Sequence, residues 1–114
     1  NSDHLYQDAP TFSSYNMIIS KAVRSLTSKM PTNETLRILE IGAGTGGVTS
    51  YWLPELPHLQ SGYMFTDLSE QFLNHARQKF RQYKFVEYSI LDIEKDPVEQ
   101  GLLPHSFDII LASV

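Results

Sequence analysis

The sequence contains no cysteine among its 114 residues. Disulfide bonds, thiolate metal sites and cysteine nucleophiles are therefore excluded, and we expect a cytoplasmic protein. No apolar run approaches the roughly 20 residues that a membrane-spanning helix needs. The first residues also lack the basic start and the apolar stretch of a signal peptide, so we expect no membrane partner.

Positive charge is also scarce, with 9 lysines and arginines against 13 acidic residues. The densest basic stretch is residues 77–84. A nucleic-acid surface normally needs a larger positive field, so the outer face of an amphipathic helix is the simpler interpretation of this stretch. The four histidines are scattered without metal-ligand spacing. We predict no nucleic-acid partner and no metal site.

The residues that are present predict one small α/β domain. Apolar residues recur at helical spacing from about Pro10 to Met30, and Pro31 ends that pattern. Beyond it, apolar strands alternate with short helices. We predict strands at 36–41, 62–67, 84–90 and 107–114, with helices at 48–53 and after Ser69. The expected fold is a Rossmann-like parallel sheet of about four strands with helices on both faces, comprising a helical cap (1–33) and a core (34–114).

A glycine-rich segment directly follows the first predicted strand, and four of the six residues from Gly42 to Gly47 are glycine. Glycine permits the positive φ of a tight turn and lets the backbone approach a ligand. Gly42, Gly44 and Gly47 also satisfy the G-x-G-x-x-G pattern of dinucleotide enzymes. The glycines therefore indicate a nucleotide cofactor and leave its identity open.

Acidic residues at the ends of the first three strands narrow the choice of cofactor. A buried carboxylate such as Glu40 is costly unless it meets a cation or donors, which the methionine end of S-adenosylmethionine (SAM) supplies and a pyrophosphate does not. Asp67 can accept the ribose hydroxyls. Asp92 can accept the adenine amine, with Leu68 and Ile93 on the ring faces. The structural alternatives are a helix end or lysine beside Glu40, a helix-leading Asp67 and a turn-forming Asp92.

Three segments of the chain resemble the class I SAM-dependent methyltransferases. Residues 39–47 (LEIGAGTGG) resemble motif I, 64–69 (MFTDLS) the acidic second motif and 91–94 (LDIE) the third. The longer strings GAGTGGVTSYWLPEL, YMFTDLSEQFLNHARQKF and SFDIILAS are similar to the C-methyltransferase domains embedded in polyketide synthases. The resemblance covers roughly residues 34–114.

The resemblance implies methyl transfer from SAM to the α-carbon of a β-ketoacyl thioester on an acyl carrier protein, among the other domains of a synthase. The residues that would hold the cofactor are Glu40, Gly42, Ala43, Gly44, Thr45, Gly46, Asp67, Leu68, Asp92, Ile93 and Ser113. Val114 would lie with Ser113 beside the methyl group.

A complete enzyme of this class has a seven-stranded sheet. We therefore expect the catalytic base and acyl site after Val114, weak or no activity from this chain alone, and an exposed edge on the fourth strand. The alternatives are a small-molecule O- or N-methyltransferase, an NAD(P)-binding oxidoreductase domain and a non-catalytic scaffold.

Overall fold

A computed structural model describes residues 12–103 and 105–113 of the chain. Its helices are α1 (Phe12–Thr27), α2 (Gly47–Trp52) and α3 (Glu70–Lys79), and a 3-10 turn, Leu53–Glu55, follows α2. Its strands are β1 (Leu36–Ile41), β2 (Ser61–Asp67), β3 (Val86–Ile90) and β4 (Ile109–Ala112). In the described ranges, no helix is both long and apolar enough to cross a bilayer.

The first helix is shorter at its C-terminus than its apolar periodicity predicts. It ends at Thr27, and the chain then turns through i→i+3 bonds from the Lys29 and Met30 amides to Leu26 and Thr27 oxygens. A residue before proline avoids helical backbone angles, which explains why the helix stops before Pro31. The predicted start near Pro10 lies outside the described residues.

The four strands form one parallel sheet in the order β3-β2-β1-β4, which confirms the predicted parallel α/β fold. Ile38 of β1 is aligned with Tyr63 of β2 and Ile109 of β4, and Tyr63 is aligned with Val86 of β3. Strand β4 pairs with β1 alone among the described strands, so its outer edge is open, as expected.

The predicted fourth strand, 107–114, is longer than the observed one. Single backbone hydrogen bonds extend the ladder at each end, from the Asp108 amide to the Arg37 oxygen and from the Ser113 amide to the Ile41 oxygen. Val114 lies outside the described residues, as does its predicted place beside the methyl group.

The described helices pack on one face of the sheet, whereas helices were expected on both. A single core is formed by side chains of α1, of the 3-10 turn that follows α2, and of α3. These side chains pack against Ile38 of β1 and against Tyr63 and Phe65 of β2. On the other face, the β3–β4 crossover and the strand residues Leu39 and Ile110 line one groove, and the described residues of this crossover contain no helix. Asp92 and Asp96 each accept a bond from the backbone amide two residues on, at 3.0 and 2.9 Å. Such local bonds favour turns over a helix.

Candidate cofactor-binding site

The predicted site residues converge at the carboxyl edge of the sheet. Successive strands from β1 to β3 add on one side of β1, whereas β4 lies on its other side. In open α/β sheets, ligands bind at this reversal of strand order, beyond the carboxyl ends of the strands. Glu40 is the penultimate residue of β1, Asp67 ends β2, and Ser113 directly follows β4. The topology thus places the candidate residues around one crevice.

The glycine-rich loop after β1 turns through three left-handed residues. Gly42, Gly44 and Gly46 have φ values of 67°, 56° and 85°, which side chains disfavour. The buried Ala43 between them donates its backbone amide to the Thr66 carbonyl oxygen at 3.0 Å. This bond fastens the loop to the neighbouring strand β2.

Gly46 also lies close to the ring of Phe80, the residue that directly follows α3. A Cβ atom at Gly46 would lie 2.7 Å from Cε2 and 2.8 Å from Cζ of Phe80, whereas one at Gly47 would meet nothing within 4 Å. In dinucleotide-binding proteins the last glycine of G-x-G-x-x-G provides the close packing of the helix. Here Gly47, the last glycine of that pattern, has no such close neighbour, which disfavours the dinucleotide interpretation. Thr45 is exposed and lies between Gly44 and Gly46. Its carbonyl oxygen accepts a hydrogen bond from Lys79 Nζ at 3.3 Å.

Glu40 is completely buried and is held by hydroxyl groups. Its Oε1 accepts bonds from Thr49 Oγ1 and from the Tyr63 hydroxyl, both at 2.5 Å. Its Oε2 accepts a bond from Ser113 Oγ at 2.6 Å. The ion pairs found in residues 14–103 and 105–113 do not include Glu40. The alternative of a neighbouring lysine is therefore not observed, and the carboxylate has donors but no countercharge among the described residues.

Tyr63 and Thr49 were not identified from the sequence. Burial raises the pKa of the Tyr63 hydroxyl far above its ordinary value, and the adjacent Glu40 charge and the bond to Glu40 raise it further. Tyr63 therefore remains a hydrogen-bond donor at neutral pH. A signal for it was present: Tyr63 lies inside an apolar strand, and a buried tyrosine usually finds a partner for its hydroxyl.

Asp67 joins the glycine-rich loop to the start of α3. Its Oδ2 accepts a bond from the Gly44 amide at 2.9 Å, and its Oδ1 accepts one from the Ser69 amide at 3.0 Å. Ser69 Oγ in turn accepts a bond from the Phe72 amide at 3.4 Å, as its predicted capping role requires. A carboxylate offers about four acceptor positions, so Asp67 retains capacity for ligand hydroxyls.

Asp92 is a turn-forming residue in this structure. Besides the bond from the Glu94 amide, its Oδ2 lies 3.9 Å from Lys95 Nζ. Gln100 holds its backbone from both sides, donating to the Asp92 carbonyl oxygen at 2.8 Å and accepting from its amide at 2.7 Å. The structural alternative for Asp92 is therefore observed, and its contact with adenine stays a prediction.

The predicted ring-packing residues lie at the same edge of the sheet. Leu68 is 65% exposed and Ile93 is 54% exposed, so both offer apolar surface to a ligand. Ile93 also borders an apolar groove of about 380 Å³ beneath the β3–β4 crossover. Within residues 12–103 and 105–113, no group of three or more histidine, aspartate or glutamate residues is arranged to hold a metal ion.

Known proteins share long stretches of sequence with this chain. Residues 39–114 match the family described as Methyltransferase domain. The chain is 38% identical over 112 residues to a non-reducing polyketide synthase of Emericella nidulans, an alignment that covers 96% of this chain and 4% of that protein. The chain therefore spans only a small part of the length of this relative.

Solved structures share both the fold and much of the sequence. The CurJ carbon methyltransferase superposes with a TM-score of 0.77 at 46% identity, covering 85% of this chain and 26% of that one. The trans-methyltransferase CalH was solved in complex with S-adenosylhomocysteine (SAH). It superposes with a TM-score of 0.71 at 44% identity, covering 86% of this chain and 27% of that one. Since the family match covers most of the chain, the chain belongs to the methyltransferase domain family and is similar to its carbon-methylating members in polyketide synthases.

Proposed function

We propose that the chain is the SAM-binding part of a carbon methyltransferase within a polyketide synthase. The observation that carries this proposal is the buried Glu40 carboxylate, which three hydroxyl groups contact and no basic residue of the described chain neutralises. A buried charge is stable only when it is paired or well hydrogen-bonded, so a cationic ligand suits this position. The amino-acid end of SAM carries such a cation.

The remaining contacts of SAM are assigned along the carboxyl edge of the sheet. The left-handed glycines of residues 42–46 let the backbone lie against the ligand, because no side chain intervenes at those three positions. Asp67 accepts the ribose hydroxyls with its unused acceptor positions. Asp92 accepts the adenine amine, and the exposed Leu68 and Ile93 pack on the ring.

SAM supplies an electrophilic methyl group on a sulfonium, and the chain's own residues bind and orient it. Ser113, beside Glu40, lies at the end of β4, where the resemblance places the methyl group. Methyl transfer also requires a base that removes a proton from the α-carbon of the acyl chain to form an enolate. The α-carbon of that enolate must lie in line with the bond between the methyl group and the sulfonium. The base and the acyl site belong to this proposal, as do the acyl carrier protein substrate and the cytoplasmic location.

Calorimetric titration with S-adenosylhomocysteine (SAH) tests the cofactor assignment, with NAD as the competing ligand. Loss of a hydrogen bond to a charged group costs about 1.5–3 kcal/mol. Asp67→Ala should therefore weaken SAH binding by roughly ten- to a hundredfold. Asp108→Ala is the matched control, because Asp108 accepts a backbone amide bond from Arg37 at 2.9 Å, at the opposite edge of the sheet.

We expect heat from SAH, none from NAD, and wild-type affinity from Asp108→Ala. Binding of NAD in place of SAH would overturn the proposed function in favour of a dinucleotide-binding domain. Equal loss of SAH affinity in both aspartate variants would show that Asp67 contributes to folding rather than to the ligand contact.

A further inference from the structure

The two oxygens of the Glu40 carboxylate have unequal surroundings. Oε1 accepts two hydroxyl bonds, from Thr49 and Tyr63, whereas Oε2 accepts one, from Ser113. A carboxylate oxygen offers about two acceptor positions. Oε1 is therefore saturated, and Oε2 keeps one position for a further donor.

The donors also approach from different parts of the molecule. Thr49 and Tyr63 are 0% and 2% exposed, and both belong to the interior between the helices and the sheet. Ser113 is only partly buried and lies at the carboxyl end of β4. The saturated oxygen is thus bonded within the core, whereas the oxygen with spare capacity is bonded to Ser113, which lies at the carboxyl end of β4 beside the crevice.

We propose, building on the proposed function, that Tyr63 is a positioning residue for the ammonium group of the cofactor. With Thr49 it holds Oε1 in the core and so orients Oε2, which presents a single acceptor position at the crevice. Tyr63 does not contact the ligand and acts on it only through Glu40. It therefore affects recognition of the amino-acid end of the ligand and leaves recognition of the adenosine end unchanged.

Two ligands separate these ends: SAH, which carries the α-ammonium, and 5′-methylthioadenosine, which lacks the amino-acid part. Tyr63→Phe keeps the ring in the core and removes only the hydroxyl, so that Oε1 retains the Thr49 bond alone. The carboxylate is then held only by Thr49 and Ser113, so its orientation is less restricted. We expect about a tenfold loss of SAH affinity, the equivalent of one typical hydrogen bond, and an unchanged affinity for methylthioadenosine.

Tyr88→Phe is the matched control. Tyr88 is aligned with Phe65 on the adjacent strand and its hydroxyl donates to the Ala76 carbonyl oxygen at 3.4 Å, away from Glu40. We expect wild-type affinity for both ligands from this variant. A second pair acts on the other donor: Thr49→Val should repeat the selective loss of SAH, and Thr49→Ser, which keeps a hydroxyl, should restore binding.

The possible outcomes separate this inference from the proposed function. Selective loss of SAH in Tyr63→Phe and Thr49→Val, with restoration in Thr49→Ser, supports the positioning role. If these variants bind SAH with unchanged affinity, or lose affinity for SAH and methylthioadenosine equally, the positioning role is overturned. The proposed function still holds in either case, provided that the wild-type chain binds SAH. If the folded wild-type chain binds neither ligand, the proposed function fails and this inference fails with it.

Discussion

Replacing Gly46 by alanine would place a methyl group between the glycine-rich loop and helix α3. Gly46 has φ 85° and ψ 23°, a left-handed conformation. The new Cβ would lie 2.7 Å from the Phe80 ring, closer than carbon atoms can pack, and 3.8 Å from Phe65. Phe80 is itself buried against Phe65, with 6.4 Å between ring centroids, so its ring has little room to move.

Two costs add at this position. A left-handed conformation costs a residue other than glycine roughly 1–2 kcal/mol. An extra methyl group in a packed core costs about 1–3 kcal/mol more. We therefore expect Gly46→Ala to lower the free energy of unfolding by about 2–5 kcal/mol, a large share of the 5–15 kcal/mol that is typical of a domain.

Urea unfolding, followed by the fluorescence of the single tryptophan, Trp52, measures this loss. Gly47→Ala is the matched control, because Gly47 begins α2 and has nothing within 4 Å of its Cβ position. Alanine is the better helix former, so this variant should be neutral or up to about 1 kcal/mol more stable.

A double variant separates the two costs. In the Gly46→Ala background, Phe80→Leu removes the ring atoms that the methyl group would meet. It should recover the packing cost, giving a coupling energy of about 1–3 kcal/mol, and leave the backbone cost in place. If Gly46→Ala is no less stable than Gly47→Ala, the close approach of Gly46 to the Phe80 ring is wrong.

Two further predictions concern Tyr63 and the loop after β3. Because the pKa of Tyr63 is higher in the folded than in the unfolded chain, the folded state keeps a proton that the unfolded state loses above about pH 10. Its contribution to stability is thus complete below about pH 10 and declines at higher pH. The urea midpoint should therefore fall as the pH rises above about 10, and less steeply in Tyr63→Phe. Equal slopes in the two proteins would contradict this. Gln100→Ala frees the Asp92 amide and leaves the Asp92 carbonyl oxygen with only the bond from the Lys95 amide, at 3.1 Å. Amide hydrogen exchange should accelerate in residues 91–96 and not in β2, and unchanged exchange there would show that Gln100 does not hold the loop.

The parallel direction of the strands follows from local patterns in the sequence. Apolar strands ending in glycines or acids, separated by short helices, are sufficient to predict a parallel sheet with Glu40 and Asp67 at its carboxyl edge. The covering of the second face of the sheet was a harder case. Asp92, Asp96 and Pro97 favour turns there, yet a similar composition is also found at helix starts.

The partners of Glu40 were not predictable in the same way. Thr49, Tyr63 and Ser113 lie 9, 23 and 73 residues from Glu40 along the chain. Their convergence depends on the register of β1 with β2 and β4, which a single sequence does not specify at the level of one residue. The sequence therefore indicated a buried carboxylate in need of donors, and only the three-dimensional arrangement identifies them.

The bond between Glu40 and Ser113 has a consequence for the order of folding. The two residues are 73 positions apart, whereas Tyr63 is only 23 positions from Glu40. Closing the longer loop costs about 1 kcal/mol more chain entropy than closing the shorter one, and distant parallel pairings form slowly. The β1–β2 half of the carboxylate's surroundings is thus favoured to assemble first, and the crevice is completed only when β4 docks.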